Sequence, residues 1–283
     1  MDSFADKVAI ITGGGSGMGR ELVCQLAAAG CSVATCDLDA DSLVGTRELA
    51  TAQAAGAAVV SVHQCDVSDE PAVLRFRDSV RAAHRVDHVD LVFANAAIGG
   101  GGSFINDPRE QWERVFAVNW WGVYYTARAF LPLLIASPEG VLVNTSSVNG
   151  FWASLGPAWP HTAYSTAKFA VKGFTESLIE DLRTNAPHVR AVLVMPGYIA
   201  TNIVGNSMRA FGVTDSAEIE QANAGWRDGA PTTAAEAAAI ILDGVRSGGW
   251  RILVGPDAKK LDEFVRGNPE STYDHAERLT YLG

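Results

Sequence analysis

Tyr164 and Lys168 stand four residues apart in the stretch Tyr164-Ser165-Thr166-Ala167-Lys168. On a helix, positions i and i+4 share a face, so a phenol and an ammonium can reach one point. An unperturbed phenol titrates at about 10 and carries protons poorly at neutral pH, whereas a neighbouring cation favours the phenolate and lowers that value. The pair therefore predicts an acid–base group, against the plainer alternative of a surface Tyr–Lys contact. A second stretch, Thr12-Gly13-Gly14-Gly15-Ser16-Gly17-Met18-Gly19, follows a short apolar run and opens a helical one. Glycines at such a junction allow positive φ and a close approach to a pyrophosphate, while the helix N-terminus supplies N–H donors. Gly13, Ser16, Gly17, Met18 and Gly19 are the expected contacts. Asp37 follows the second apolar run, where an acid binds the adenosine ribose diol and repels a 2′-phosphate. No cation adjoins it in sequence, so NAD is expected rather than NADP. The competing reading is that Asp37 or Asp39 only caps the next helix.

These groups need a scaffold, and the chain spells one out. Val8–Thr12 is an unbroken apolar run ending in glycines, the pattern of a strand buried on both faces. Similar runs recur at Ser32–Cys36, Ala58–His63, Leu91–Ala94, Val141–Thr145, Ala191–Met195 and Arg251–Val254. Helical stretches lie between most of them: Met18 to Ala29, closed by Gly30, then Glu110–Ile135 and Tyr164–Thr184 as the longest. The alternation predicts an α/β fold, a Rossmann-type, doubly wound, seven-stranded parallel sheet with helices on both faces in a single domain. Residues 1–255 form the dinucleotide-binding catalytic domain in this reading. Within it, 203–230 break the rhythm and are expected to form a substrate lid. Residues 256–283, with Phe264, Tyr273 and Tyr281, are expected to be a C-terminal extension packed on the surface or on a neighbouring subunit.

Taken together these features resemble the short-chain dehydrogenase/reductase family, in its classical form, over about the first 255 residues. Thr12-Gly-x3-Gly17-x-Gly19 is similar to the family's cofactor loop. The resemblance implies that Asp66 and Val67 contact the adenine, that Pro196, Gly197, Ile199 and Thr201 hold the nicotinamide end, and that Asn119, Ser147, Tyr164 and Lys168 form the catalytic tetrad. Ser147 is preferred to Ser146 because Val-Asn-Gly follows it. Asn95 is a further cofactor contact, although Ala94-Asn95-Ala96-Ala97 departs from the family's usual Asn-Asn-Ala-Gly. The Ser-to-Tyr spacing is also longer, with an insertion around Gly156-Pro-Ala-Trp-Pro160.

The resemblance implies hydride transfer between NAD and a secondary alcohol or its ketone. Tyr164 would move the hydroxyl proton, Lys168 would lower the phenol's pKa and bind the nicotinamide ribose, and Ser147 would hold the substrate oxygen. Asn119 would place a water behind Lys168. Asn149, Trp152 and Tyr198 are expected substrate contacts. With Phe151, Trp159, Ile203, Met208 and Phe211 they predict a roomy apolar pocket for a hydrophobic substrate, cyclic or aromatic, of the steroid or terpenoid kind. A 3-oxoacyl-thioester reductase is the alternative. A non-catalytic NAD-binding sensor is the alternative from another class. A hydrolase built on Ser147 and His161 lacks a Gly-x-Ser-x-Gly elbow.

Composition narrows the partners. The 283 residues carry a formal charge of -10 with 22 Lys and Arg scattered rather than striped, which argues against nucleic acid. The first seven residues hold two acids where a secretory signal needs bases, and no apolar stretch approaches the ~20 residues of a membrane span. Cys24, Cys31, Cys36 and Cys65 lack metal-site spacing, so no metal and no disulfide framework is expected. A cytoplasmic protein is the expectation. Apolar positions on the two long helices, with Trp112, Trp120, Trp121, Phe130, Phe169 and Phe174, together with the resemblance, predict self-association to a dimer or homotetramer.

Overall fold

Val8–Thr12 forms strand β1 and sends its side chains alternately into two cores, Ala9 and Ile11 to one face and Ile10 to the other. An unbroken apolar run is what such two-sided burial requires. The computed structural model describes residues 1–100, 102–153 and 160–274. The remaining strands are β2 (Ser32–Asp37), β3 (Val60–Gln64), β4 (Leu91–Ala94), β5 (Val141–Thr145), β6 (Arg190–Pro196), the short β7 (Ile199–Ala200) and β8 (Thr232–Thr233), and β9 (Arg251–Val254). Seven of them pair in parallel in the order β3-β2-β1-β4-β5-β6-β9, while β7 and β8 pair separately.

Helices α1 (Gly17–Ala28), α2 (Ala40–Gln53) and α9 (Ala234–Arg246) contribute Leu22, Leu26, Ala50, Ile241 and Val245 to the core on one face of the sheet. Helices α3 (Glu70–His84), α5 (Gly122–Ile135) and α6 (Thr162–Asn185) contribute Phe76, Phe130, Leu134 and Leu178 on the other. The direction of winding reverses between β1 and β4, which opens a crevice at the C-terminal ends of the strands. Thr12 fastens that switch point: its hydroxyl accepts from Asn95 N at 3.0 Å and Ala96 N at 3.1 Å, and its carbonyl accepts from Asn95 Nδ2 at 3.1 Å.

The structure departs from the expected elements in three places. The third strand begins at Val60 rather than Ala58, because Ala58 N is turned back onto Ala55 O. The long helix over Glu110–Ile135 is α4 (Arg109–Phe116), a π-helical turn at Ala117–Trp121, and α5. The irregular 203–230 segment holds helices α7 (Ile203–Ala210) and α8 (Ser216–Gly229). They are tied together by Gly205 N donating to Asn223 Oδ1 at 2.8 Å. The described part of the tail packs on the surface of its own domain, one of the two arrangements expected of it. Helix α10 (Pro256–Gly267) buries Ala258 and Leu261 against Val148 and Trp152, and Thr272 O accepts from Trp152 Nε1 at 3.3 Å. Tyr281 lies outside the described residues.

The aromatic set divides. Phe130 is wholly buried beside Phe76, with ring centroids 5.6 Å apart. Burying such a ring contributes about 2–3 kcal/mol to this core. Trp112 stacks on Phe116 and donates its N–H to Thr162 Oγ1 at 3.1 Å. Neither is free to meet another subunit. Trp120, Trp121, Tyr124 and Phe174 instead form a ladder of ring contacts, with Trp121 39% and the nearby Phe169 41% exposed. Among the described residues no helix is long and apolar enough to cross a membrane.

Candidate active site

The crevice encloses about 310 Å³. Gly13, Ser16, Gly17, Met18, Gly19, Asp37, Asp66, Val67, Asn95 and Thr201 all line it, so residues spread over almost 190 positions meet in one groove. Gly17 has φ of 53° and lies against Thr201, and a Cβ on Gly19 would sit 2.0 Å from Gly13 O. Glycine is thus demanded by backbone conformation at one position and by contact at the other. Ser16 caps α1 without a side-chain bond to the helix, which leaves the first-turn N–H groups facing the loop.

Asp37 accepts from Gly15 N at 2.9 Å and from Asp39 N at 3.2 Å. Burial outweighs these bonds and pushes its carboxyl up. Asp66 behaves oppositely. Burial raises it, but the Ser68 hydroxyl and N–H and the Arg114 guanidinium, 2.9 Å away, hold it below the ordinary range. Cys65, on the same wall, is hydrogen-bonded to Cys36, which lowers the Cys65 thiol, while burial pushes Cys36 well up. All four cysteines are free. A cation does face this subsite, contrary to the sequence expectation: Arg209 of α7 lines the groove and its charge acts on Asp39.

Past β5 the chain makes a 3-10 turn at Val148–Gly150. Ser147 caps it, accepting from Asn149 N at 3.1 Å, and its hydroxyl acts on the Tyr164 phenol in the sense that favours the phenolate. Ser146 is committed elsewhere, donating to Lys168 O at 2.7 Å, which supports the choice of Ser147. Lys168, only 1% exposed, donates from Nζ to Thr145 O at 3.0 Å and lies 5.4 Å from the centre of the Tyr164 ring. Burial brings its ammonium down to about 7. Burial also pushes the Tyr164 phenol up, and the Ser147 hydroxyl offsets this only in part. The expected lowering of the phenol by Lys168 is therefore corrected for the polypeptide itself: desolvation opposes charge on the half-buried Tyr164 as it does on the buried Lys168.

Asn119 occupies the π turn and explains it. Its Nδ2 donates to Val115 O in its own helix and to Ile98 O on the groove wall, both at 2.8 Å. A side chain inserted into a helical ladder is one cause of such a turn. The buried Oδ1 atoms of Asn119 and Asn95 have no hydrogen-bond partner among the described residues.

Three expected substrate contacts are placed differently. Trp152 is 2% exposed, wedged between the 3-10 turn and α10, so it packs rather than faces an open pocket. Asn149 is buried and donates to Trp152 O at 3.1 Å. Tyr198 donates its hydroxyl to Trp226 O at 2.5 Å, with the two rings 4.3 Å apart, which anchors α8. Phe151 lies under Arg251, and Phe211 meets Gly100. Trp159 and most of the insertion lie outside the described residues. Pro196, Gly197 and Ile199 do not line the groove. Gly197 N donates to Val254 O at 2.9 Å, and Ile199 O accepts from Trp226 Nε1 at 3.0 Å. Asp257, which sequence reasoning missed, accepts from Tyr198 N at 2.6 Å and braces this turn. His161 stands edge-on to Tyr164 at 5.9 Å, burial pushes its imidazole down, and its buried Nδ1 has no partner among the described residues, so among these a triad lacks its orienting acid.

A glycine-walled crevice and a phenol–lysine pair at the same end of one parallel sheet is the construction of a dinucleotide-linked oxidoreductase. The chain belongs to the short chain dehydrogenase family, whose model matches residues 7–210. It is 38% identical over 266 residues to the putative oxidoreductase SadH of Mycobacterium tuberculosis, covering 94% of this chain and 92% of that one. It is 34% identical over 202 residues to human epidermal retinol dehydrogenase 2, covering 71% of this chain and 63% of the relative. Among solved structures, a short-chain dehydrogenase/reductase from Burkholderia phymatum in complex with NAD superposes with a TM-score of 0.83 at 29% identity, over 97% of this chain and 98% of that one.

Proposed function

We propose that the protein transfers hydride between NAD and a hydrophobic secondary alcohol or its ketone, with Tyr164 as the proton-transferring group. The observation that supports this most is the set in which the Ser147 hydroxyl acts on the half-buried Tyr164 phenol while the Nζ of buried Lys168 lies 5.4 Å from its ring centre. The groove fits an adenine dinucleotide: free N–H groups at the start of α1 suit a pyrophosphate, Asp37 a ribose diol, and the unpartnered Asn95 Oδ1 a donor. Bound there, NAD supplies the hydride acceptor or, reduced, the donor. Tyr164 takes the alcohol proton or returns it to the ketone, Ser147 holds the same oxygen, and Lys168 favours the phenolate whenever it is protonated. Asn119, through its unpartnered Oδ1, holds a water on the far side. The resemblance to a retinol dehydrogenase supports a hydrophobic alcohol. We place the protein in the cytoplasm, where free thiols as close as Cys36 and Cys65 stay unbridged. Self-association runs through the exposed Trp121 and Phe169 face, as a dimer or tetramer.

The test is a panel of hydrophobic alcohols and ketones followed at the nicotinamide absorbance, with Tyr164→Phe as the control. Phe keeps the ring and its packing, so kcat should fall by a factor on the order of 10²–10⁴ with NAD affinity nearly unchanged. Retention of more than about a tenth of the activity would remove Tyr164 from its role.

A further inference from the structure

Two basic side chains line the crevice among the described residues, Arg114 and Arg209. Arg114 is committed, ion-paired with Asp66 at 2.9 Å and donating to Ser68 Oγ at 2.6 Å. Arg209, in the last turn of α7, is exposed and donates only a long bond, 3.3 Å, to Asn206 Oδ1. Asn206, one turn earlier, reaches across the crevice and donates to Ser16 Oγ of the glycine loop at 3.0 Å. Helix α7 therefore lies over the groove, joined to the pyrophosphate side by Asn206 and presenting Arg209 toward the wall that carries Asp37 and Asp39. Asp39 registers that charge. Burial raises its carboxyl, but the Ser42 hydroxyl and N–H, Asp41 N and the Arg209 charge outweigh it and leave it low. With Arg114 and Asp66 neutralising each other, the wall presents two carboxylates and one uncommitted guanidinium. A dianionic pyrophosphate entering this groove gains from a full positive charge besides the partial charge of the α1 N-terminus.

We propose that Arg209 is the phosphate-binding cation of the crevice, exchanging its attraction to Asp39 for the pyrophosphate oxygens of the dinucleotide and so holding α7 down over the bound cofactor. This rests on the dinucleotide reading of the groove. Two phosphates could be its target: the pyrophosphate common to NAD, NADP and ADP-ribose, or the 2′-phosphate of NADP alone. Asp37 and Asp39 flank the ribose side and repel the second, so the pyrophosphate is the target.

Calorimetric titration of the full-length protein with NAD, NADP, ADP-ribose and adenosine tests this without turnover. Arg209→Gln should weaken NAD and ADP-ribose alike, by about 10-fold as befits a solvent-accessible charge-assisted contact, and leave adenosine unchanged. Arg209→Lys should recover most of the loss, because it restores the charge. Asp39→Asn keeps the cap on α2 but frees Arg209, so it should tighten NAD about 2–5-fold, and that gain should vanish when Arg209→Gln is also present. Unchanged NAD and ADP-ribose affinity in Arg209→Gln overturns the proposal while leaving the cofactor reading intact, and so does a loss confined to NADP. A wild-type protein that binds neither NAD nor ADP-ribose overturns both.

Discussion

Lys168 should destabilise the fold it serves, and replacing it should show this. The side chain is 1% exposed, makes one hydrogen bond, to Thr145 O at 3.0 Å, and has its ammonium lowered from 10.5 to about 7 by burial. Between those values the folded protein binds fewer protons than the unfolded chain, so this residue's contribution to stability rises with pH through the window from 7 to 10.5. Its penalty is fully present below pH 7, amounts to about 4 kcal/mol at pH 7, and shrinks to about 1.4 kcal/mol at pH 9.5. Lys168→Met fills similar volume without the charge but orphans the Thr145 carbonyl, at about 2 kcal/mol. The net gain at pH 7 is about 2 kcal/mol, or about 4–8 °C in Tm for a chain of this size. At pH 9.5 the sign should turn, leaving the variant equal to or slightly below the parent. Paired denaturation scans of the two proteins at both pH values, without nucleotide and at equal concentration, read the difference directly. A Met variant less stable than the parent at pH 7, or a difference that does not move with pH, would refute the reasoning. Activity should be lost in either case, which is the usual opposition between a buried functional charge and stability.

Asp37→Ala should weaken NAD and narrow its advantage over NADP; a higher kcat/KM with NADP in the unmodified protein would reverse the assignment. Asp257→Ala strips the acceptor from Tyr198 N, bonded at 2.6 Å, and should cost about 1–3 kcal/mol and raise the cofactor KM. Asp257→Asn keeps an acceptor and should sit near wild type, so equal losses in both variants would deny the brace. Trp121→Glu charges the exposed aromatic ladder and should lower the light-scattering mass of the assembly. A wild-type mass near the 29.9 kDa of one chain would count against self-association from the outset.

What the sequence discloses here is what local physics determines. Strands buried on both faces must be apolar throughout, as Val8–Thr12 and Val141–Thr145 are, and a helix must bring Tyr164 and Lys168 to one side. The glycine loop is legible because Gly17 and Gly19 are demanded by conformation and contact rather than by a distant partner's chemistry. Roles assigned by remote partners are not legible. Trp152 and Tyr198 look like pocket walls until Thr272 O and Trp226 O are found holding them. The π turn follows from Asn119 reaching Ile98, 21 residues back. Helices α7 and α8 hide because their stabilising bonds, such as Asn223 to Gly205 and Trp226 to Ile199, cross between elements while their own apolar faces are short. Arg209 lies 170 residues from Asp39, so the charge at that subsite is invisible along the chain.

The pair that gave the clearest sequence signal is also the one whose energetics the sequence misjudged. Spacing predicts a cation beside a phenol, and the fold delivers it, but with Lys168 buried and Tyr164 half-buried. Desolvation then works on each in the opposite sense to their mutual attraction, raising Tyr164 and lowering Lys168. At neutral pH the polypeptide alone thus favours a protonated phenol and a lysine that is charged only about half the time. That resting state is a proton donor, suited to ketone reduction. Alcohol oxidation asks for the phenolate, and the Ser147 hydroxyl and a protonated Lys168 are the groups of the proposed site that favour it. In the proposed reaction Ser147 would thus have two tasks at one oxygen, steadying the phenolate and holding the substrate. This is why its place as cap of the 3-10 turn, fixed through Asn149 N, bears on chemistry as much as on fold.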